Sequence, residues 1–260
     1  PSGLTSLGQD TFENSGLESI TLPANYQVAK VSSDIYAFKG CTSLKTVVLP
    51  ATLKILPNQF FNGCTSLTTV KLIDANGNII GNDNEALLPT GLTEIGSSTF
   101  NSTAITKFIF PDTLATLGSS AFSKSAVKEV VLPGTITKFN SGIFLGCTAL
   151  EKVVFGDAIT DMSAAGTMFK ECTALNSVTL PANATKLGNE MFYGCTALTK
   201  IDLPDSLTHL GKMTFACSGL IEVKIPAGVT ELSYKTGLKD SGHSLTSSTN
   251  PISSTTGAYT

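Results

Sequence analysis

Phe192–Pro204 reads FYGCTALTKIDLP, and close copies of it recur along most of the chain. The strand half, L-x-x-V-x-L-P, appears as Leu17–Pro23 (LESITLP), Leu44–Pro50 (LKTVVLP), Leu67–Leu72 (LTTVKL), Ile105–Pro111 (ITKFIFP) and Val127–Pro133 (VKEVVLP). It continues as Leu150–Phe155 (LEKVVF), Leu175–Pro181 (LNSVTLP), Leu198–Pro204 (LTKIDLP) and Leu220–Pro226 (LIEVKIP). A second half, L-T-x-L-G-x-x-x-F, is clearest at Leu4–Phe12, Leu92–Phe100, Leu114–Phe122 and Leu207–Phe215, with looser copies ending at Phe38, Phe61, Phe144, Phe169 and Phe192. A period of about 22 to 25 residues is that of stacked leucine-rich units.

One repeat explains the pattern. In LTKIDLP, Ile201 and Leu203 alternate with polar residues, the period of two that turns one face of a strand inward. Proline then ends the strand, having no N–H to give to a ladder. The Gly of LTxLG suits a backbone turn, the segment before each Phe is expected to make a short helical turn, and the Phe plugs the core between layers. No single repeat buries its apolar side alone; stacked repeats do. The expectation is a solenoid of about nine repeats over residues 1–232, with the strands aligned in one parallel sheet.

The F-x-G-C-T-x-L corner and the xLP strand end, as in Phe61–Leu67 and Phe192–Leu198, resemble the BspA-like leucine-rich repeat family of bacterial surface proteins, over roughly residues 4 to 232. The resemblance implies a right-handed leucine-rich superhelix of the α/β horseshoe kind, mostly parallel β with short helical turns. It also implies an extracellular binding or adhesion role.

Composition narrows the partner classes. Net charge is −3 and all seventeen basic residues are Lys. Arg dominates bidentate reading of phosphate and guanine, so nucleic acid is not the expected partner. No apolar run approaches the ~20 residues of a membrane span. The chain starts at Pro1 within the second half of a repeat, which suggests that a further segment precedes it in the full protein.

Five of the six cysteines, Cys41, Cys64, Cys147, Cys172 and Cys195, occupy the six-residue corner, and Cys217 is the exception. Where the corner is a residue shorter, as in Phe12–Leu17, Phe100–Ile105 and Phe122–Val127, Cys is absent. This link to corner geometry points to a small buried slot that a free thiol fills as a small hydrophobe. An even count invites disulfides, and stacked neighbours such as Cys172 and Cys195 could come close. Residues of one column point the same way, however, whereas a disulfide needs a specific approach. Nor is there C-x-x-C or Cys/His spacing for zinc.

Residues 73–91 (IDANGNIIGNDNEALLPTG) break the period. Asn76-Gly77 between Ile73 and Ile79-Ile80 signals a β-hairpin. A rival reading places Asp74, Asn76, Asn78, Asn82 and Glu85 at positions 1, 3, 5, 9 and 12 of a calcium loop, but Ile79 stands where that loop needs Gly. An irregular loop is the third reading.

No catalytic constellation emerges: His209 and His243 lack a nucleophile motif such as G-x-S-x-G, and the acidic residues are scattered one per repeat. Binding must come from a surface. The outward strand row is expected to read Thr21, Val48, Lys71, Ile109, Val131, Val154, Thr179, Asp202, Lys224. It sets Ile109, Val131 and Val154 side by side, with Lys107, Glu129 and Lys152 alternating in charge beside them, an apolar strip suited to a contact. The same strip has a plainer reading, since β-branched residues favour strands whichever way they face. The expected function is an extracellular or cell-surface module for a protein partner, host extracellular matrix included, or a glycan, with no cofactor and no enzymatic activity. The alternatives are a structural spacer and a carbohydrate-binding accessory protein, the last weakened by the absence of Trp. The Ser/Thr-rich residues 233–260 are expected to be a polar cap or a flexible tail.

Overall fold

The computed structural model describes residues 3–28, 36–232 and 244–247. Their backbone forms a parallel-strand solenoid whose turns stack three walls. The first is the strand wall. Ser19–Thr21, Thr46–Pro50, Thr69–Ile73, Ala86–Leu87 and Phe108–Ile109 pair in that order, and Glu129–Leu132, Lys152–Phe155 and Ser177–Thr179 follow as a second sheet. A single bridge, Lys107 to Glu129, links the two. The register sets like on like: Val47 beside Val70, Val131 beside Val154. Alternate residues turn inward, so Val130, Leu132, Val153 and Phe155 are buried, as the period of two demands.

The second wall corrects the expectation of a single sheet. The x-L of TxLG forms two-residue strands of its own. Ile55–Leu56, Glu94–Ile95 and Thr116–Leu117 stack in one ladder, and Asp161–Met162, Lys186–Leu187, His209–Leu210 and Glu231–Leu232 in another. The glycine that follows four of these strands, Gly96, Gly118, Gly188 and Gly211, does not have the positive φ of a left-handed turn. It is there because turns touch: a Cβ on Gly211 would stand 2.5 Å from the Gly188 carbonyl carbon.

The third wall is the Phe corner, where short helical turns were expected and none occurs among the described residues. The residues two before and two after the Phe take positive φ instead: Gln59 at 56° and Gly63 at 76°, Thr167 at 56° and Glu171 at 63°. A left-handed residue interrupts helical dihedrals, so the chain folds into consecutive tight turns. Each turn then bonds the next. Phe61 N–H donates to the Thr99 carbonyl (2.9 Å) and Gly63 N–H to that of Asn101 (2.9 Å), a pattern kept from Phe12 to Ala216. Inside this wall, Phe12, Phe38, Phe61, Phe100, Phe122, Phe144, Phe169, Phe192 and Phe215 stack with centroids 5.2 to 5.7 Å apart.

Two strands depart from the sequence pattern. Ala86–Leu87 is an additional strand. It pairs with Thr69–Ile73 on one side and Phe108–Ile109 on the other, yet it has no corner or short strand before it, since Phe61 stacks directly on Phe100 and Ile55 pairs directly with Glu94. Conversely, Leu198–Pro204 forms no strand. Asp202 stands in the row between Thr179 and Lys224, and Asp is depleted in strands. In the tail, Ser244–Ser247 pairs in parallel with Glu222–Ile225. The rest of the cap-or-tail segment, His243 included, lies outside the described residues.

Candidate binding face

The outward strand positions form two rows in the middle of the wall. One runs through Glu85, Lys107, Glu129 and Lys152, alternating in sign, with Glu129 opposite Lys152 in register. Lys107 Nζ lies 3.1 Å from Glu85 Oε2, and the Asn82 side-chain amide donates to Oε1 at 2.7 Å. These partners, Lys107 first, hold the Glu85 carboxyl below the usual carboxylate range. The other row is apolar: Leu87 beside Ile109, then Val131 beside Val154. Val131 is 65% exposed, Ile109 37%, and Val154 is half-buried. The structure therefore brings together the predicted Ile109, Val131, Val154, Lys107, Glu129 and Lys152.

Leu87 is the member that sequence reasoning missed. Its signal was present as Leu88-Pro89, one more xLP strand end, but no Phe corner precedes it. The insertion adds to the same patch. Ile73 pairs with Ile79 and Leu72 with Ile80 in antiparallel register. The turn between them spans Asp74–Asn78, with Gly77 at φ 87°. Ile79 and Ile80 are 54% and 46% exposed. Gly81 then backs onto the strands, its Cβ position 3.5 Å from the Leu87 side chain. The hairpin thus lies beside the Leu87 end of the apolar row.

The outer face is not open along its whole length: Val48 keeps its expected place in the outward row, in register with Thr21 and Lys71, but it is covered. Val48 is 6% exposed and Thr69 3%. The return limb of the insertion lies close by: Asn84 N–H donates to Thr69 Oγ1 (3.0 Å) and Lys71 reaches Asp83 (2.8 Å).

The calcium-loop residues find other partners. Asp74 Oδ1 accepts from the backbone N–H groups of Asn76 and Asn78 (2.8 Å each), and Oδ2 from the Asn78 side-chain amide (2.9 Å). These bonds, that of the Asn78 side chain first, hold its carboxyl below the usual range. Glu85 is committed to Lys107 and Asn82 on the opposite limb. Among the described residues no group of three or more His, Cys, Asp or Glu is placed to hold a metal. His209 sits in the second wall between Lys186 and Glu231.

The cysteines are free, five buried and Cys217 exposed. Their role goes beyond filling space. Each buried thiol donates to the carbonyl of the Phe one turn back: Cys41 to Phe12 (2.9 Å), Cys64 to Phe38 (3.0 Å), Cys147 to Phe122 (3.0 Å), Cys172 to Phe144 (3.1 Å) and Cys195 to Phe169 (3.1 Å). In two of the short corners a hydroxyl serves the Phe of its own turn, Thr103 to Phe100 at 3.0 Å and Ser218 to Phe215 at 2.7 Å. Burial pushes the Cys64 and Cys195 thiols up to about 12 and Cys147 to about 11, so at neutral pH they stay protonated donors rather than nucleophiles.

Comparison with known proteins gives this geometry its relatives. A family model described as a BspA type leucine-rich repeat region, in six copies, matches residues 1–83, 81–165 and 163–255. No curated protein sequence matches. Among solved structures, a leucine-rich repeat protein from Bacteroides ovatus is similar at 26% identity and a TM-score of 0.65, over 88% of this chain and 60% of its own. The chain thus spans three fifths of that protein's length. A leucine-rich repeat protein from Eubacterium ventriosum shares the fold at 19% identity and a TM-score of 0.61, over 88% of this chain and 66% of its own. A leucine-rich cell surface protein from Faecalibacterium prausnitzii does so at 21% identity and 0.52, over 99% and 82%.

Proposed function

Because the chain belongs to the BspA-type leucine-rich repeat family, we propose that it is an extracellular binding or adhesion module of a bacterial cell-surface protein, and that it holds a protein partner on the outer face of its strand wall. One observation carries the reading. Of the five large hydrophobic side chains exposed among the described residues, Ile79, Ile80, Ile109 and Val131 gather on the strand wall and its hairpin. Apolar side chains scattered singly over a surface need no explanation, but an apolar row set in register along the strands with a charged row beside it has the make-up of an interface. The charged row here is Glu85, Lys107, Glu129 and Lys152. The surface protein of F. prausnitzii, with the same fold, supports the location.

The test is binding of the purified chain to a panel of extracellular-matrix proteins and to a glycan array, run beside Val131→Asp. The expected result is capture of a protein that the variant loses, with thermal stability unchanged, since an exposed substitution costs within about 0.5 kcal/mol. A variant that binds as the parent does removes this face from the contact. Capture of glycans alone would assign the chain to carbohydrate recognition, and silence throughout would leave the structural spacer.

A further inference from the structure

Asn-Gly occurs twice in the chain, as Asn62-Gly63 and as Asn76-Gly77. In such a pair the glycine amide nitrogen can attack the asparagine side-chain carbonyl, because glycine carries no Cβ to obstruct the approach. The local chemistry of the two pairs is the same, and the fold treats them differently.

Asn62-Gly63 is a rung of the corner wall. The peptide unit between the two residues bonds the turns on both sides: its carbonyl accepts from Gly40 N–H (2.7 Å) and its N–H donates to the Asn101 carbonyl (2.9 Å). The Asn62 side-chain amide donates to Gln59 Oε1 (3.2 Å), and a Cβ on Gly63 would stand 3.6 Å from the Gly40 Cα. For the Gly63 nitrogen to reach the Asn62 side chain, a bond between stacked turns must break and the backbone must rotate inside the ladder. Opening of that kind draws on the stability of the stack itself.

Asn76-Gly77 is the tip of the hairpin. Both residues are exposed, and the Asn76 side chain has no hydrogen-bond partner among the described residues. A Cβ on Gly77 would meet nothing within 4 Å. The Gly77 N–H bonds the Asp74 carbonyl (3.1 Å), a contact internal to the turn. Exposed loop tips open at little cost, and breaking this bond disturbs no core layer.

We propose that Asn76 is a site of spontaneous deamidation, and that the stack protects Asn62 from the same reaction. Hydroxide takes the proton from the Gly77 nitrogen, which bonds to the side-chain carbonyl carbon of Asn76. The bond from that carbon to the side-chain nitrogen breaks, and ammonia leaves with a proton returned by water. Water then opens the cyclic imide at either carbonyl, giving aspartate or isoaspartate in place of Asn76. Nothing is oxidised or reduced. Either product adds a carboxylate close to that of Asp74, which holds the Asn76 and Asn78 backbone N–H groups. Isoaspartate also adds a carbon to the backbone of the turn that sets Ile73 opposite Ile79. The hairpin beside the strand wall therefore changes charge and shape with age, while the corner stays as built.

The intact protein is incubated at neutral and mildly alkaline pH in water enriched in heavy oxygen, which marks conversion made during the incubation. Cleavage after Lys54, Lys71 and Lys107 puts Asn62 and Asn76 in separate fragments for mass spectrometry, and isoaspartate is read by isoaspartyl methyltransferase labelling. In the folded protein Asn76 should convert at least about tenfold faster than Asn62, faster still at the higher pH, and the two rates should become alike in urea, where the stack is gone. Gly77→Ala should slow the conversion at least about tenfold. An unchanged Asn76 in the folded protein overturns the proposal. So does conversion of Asn62 at the same rate, because the fold would then protect neither, and so does a product without isoaspartate, because the imide would not have formed.

Discussion

The corner wall and the strand wall are built from the same repeats, yet they differ in continuity. At the corner, backbone bonds and Phe rings pass from turn to turn through the described stack, with a thiol donor at five of the eight steps. On the strand side the ladder narrows to a single bridge between Lys107 and Glu129 and lapses at Lys200–Leu203. The difference lies in what each wall asks of its residues. A corner must fit a ring, a left-handed residue and a donor into a fixed space, so each turn repeats the last. A strand asks only that alternate residues be apolar, and its outward positions are free to vary. The lesson is that the corner constrains every position it uses, whereas the strands leave their outward positions free to vary.

The sharpest attempt to break this contrast is Phe144→Ala against Val131→Ala. Phe144 stacks between rings at 5.2 and 5.7 Å, and its loss should cost roughly 3–5 kcal/mol in urea unfolding. Val131, open to solvent, should cost within about 0.5 kcal/mol. Equal costs would erase the distinction. Next comes Gly211→Ala in the second wall. There the added methyl meets backbone rather than a movable side chain, and destabilisation of about 1–3 kcal/mol is expected. A neutral result in the same urea assay would show that turns can separate locally.

The smallest effect belongs to the strand wall. Glu85→Gln removes the pairing with Lys107 and should cost less than about 1 kcal/mol at pH 7. Folding holds this carboxyl below its unfolded value, so the contribution is full above the ordinary Glu range and fades as pH falls through the lowered folded value. Parent and variant should therefore converge in thermal midpoint in acid. A gap that persists there would assign the effect to packing rather than charge.

The repeats were legible because their physics is local: the Phe, the xLP end and the Cys of the long corner can be counted along the chain. What escaped the sequence depends on neighbours. The Cys147 thiol bonds the Phe122 carbonyl, 25 residues back, and only the stacking register brings those two together. Gly211 looked like a turn residue and is a contact residue. Asp202 marked the failed strand, but as one polar residue in an otherwise faithful LTKIDLP it could not outweigh the pattern. The binding face was legible as far as Ile109, Val131 and Val154. Its extension to Leu87 was not, because the strand Ala86–Leu87 arrives without a corner to announce it.

That strand has a consequence for how such a molecule can diversify. Phe61 meets Phe100 and Ile55 meets Glu94 as if the excursion between them did not exist, so the spine closes over a length of chain that the outer surface keeps. The two can lengthen independently: a segment grafted into the Asn76–Gly77 tip would enlarge the presented surface while every core layer kept its place. A lineage could in this way change what it holds on to without renegotiating how it folds.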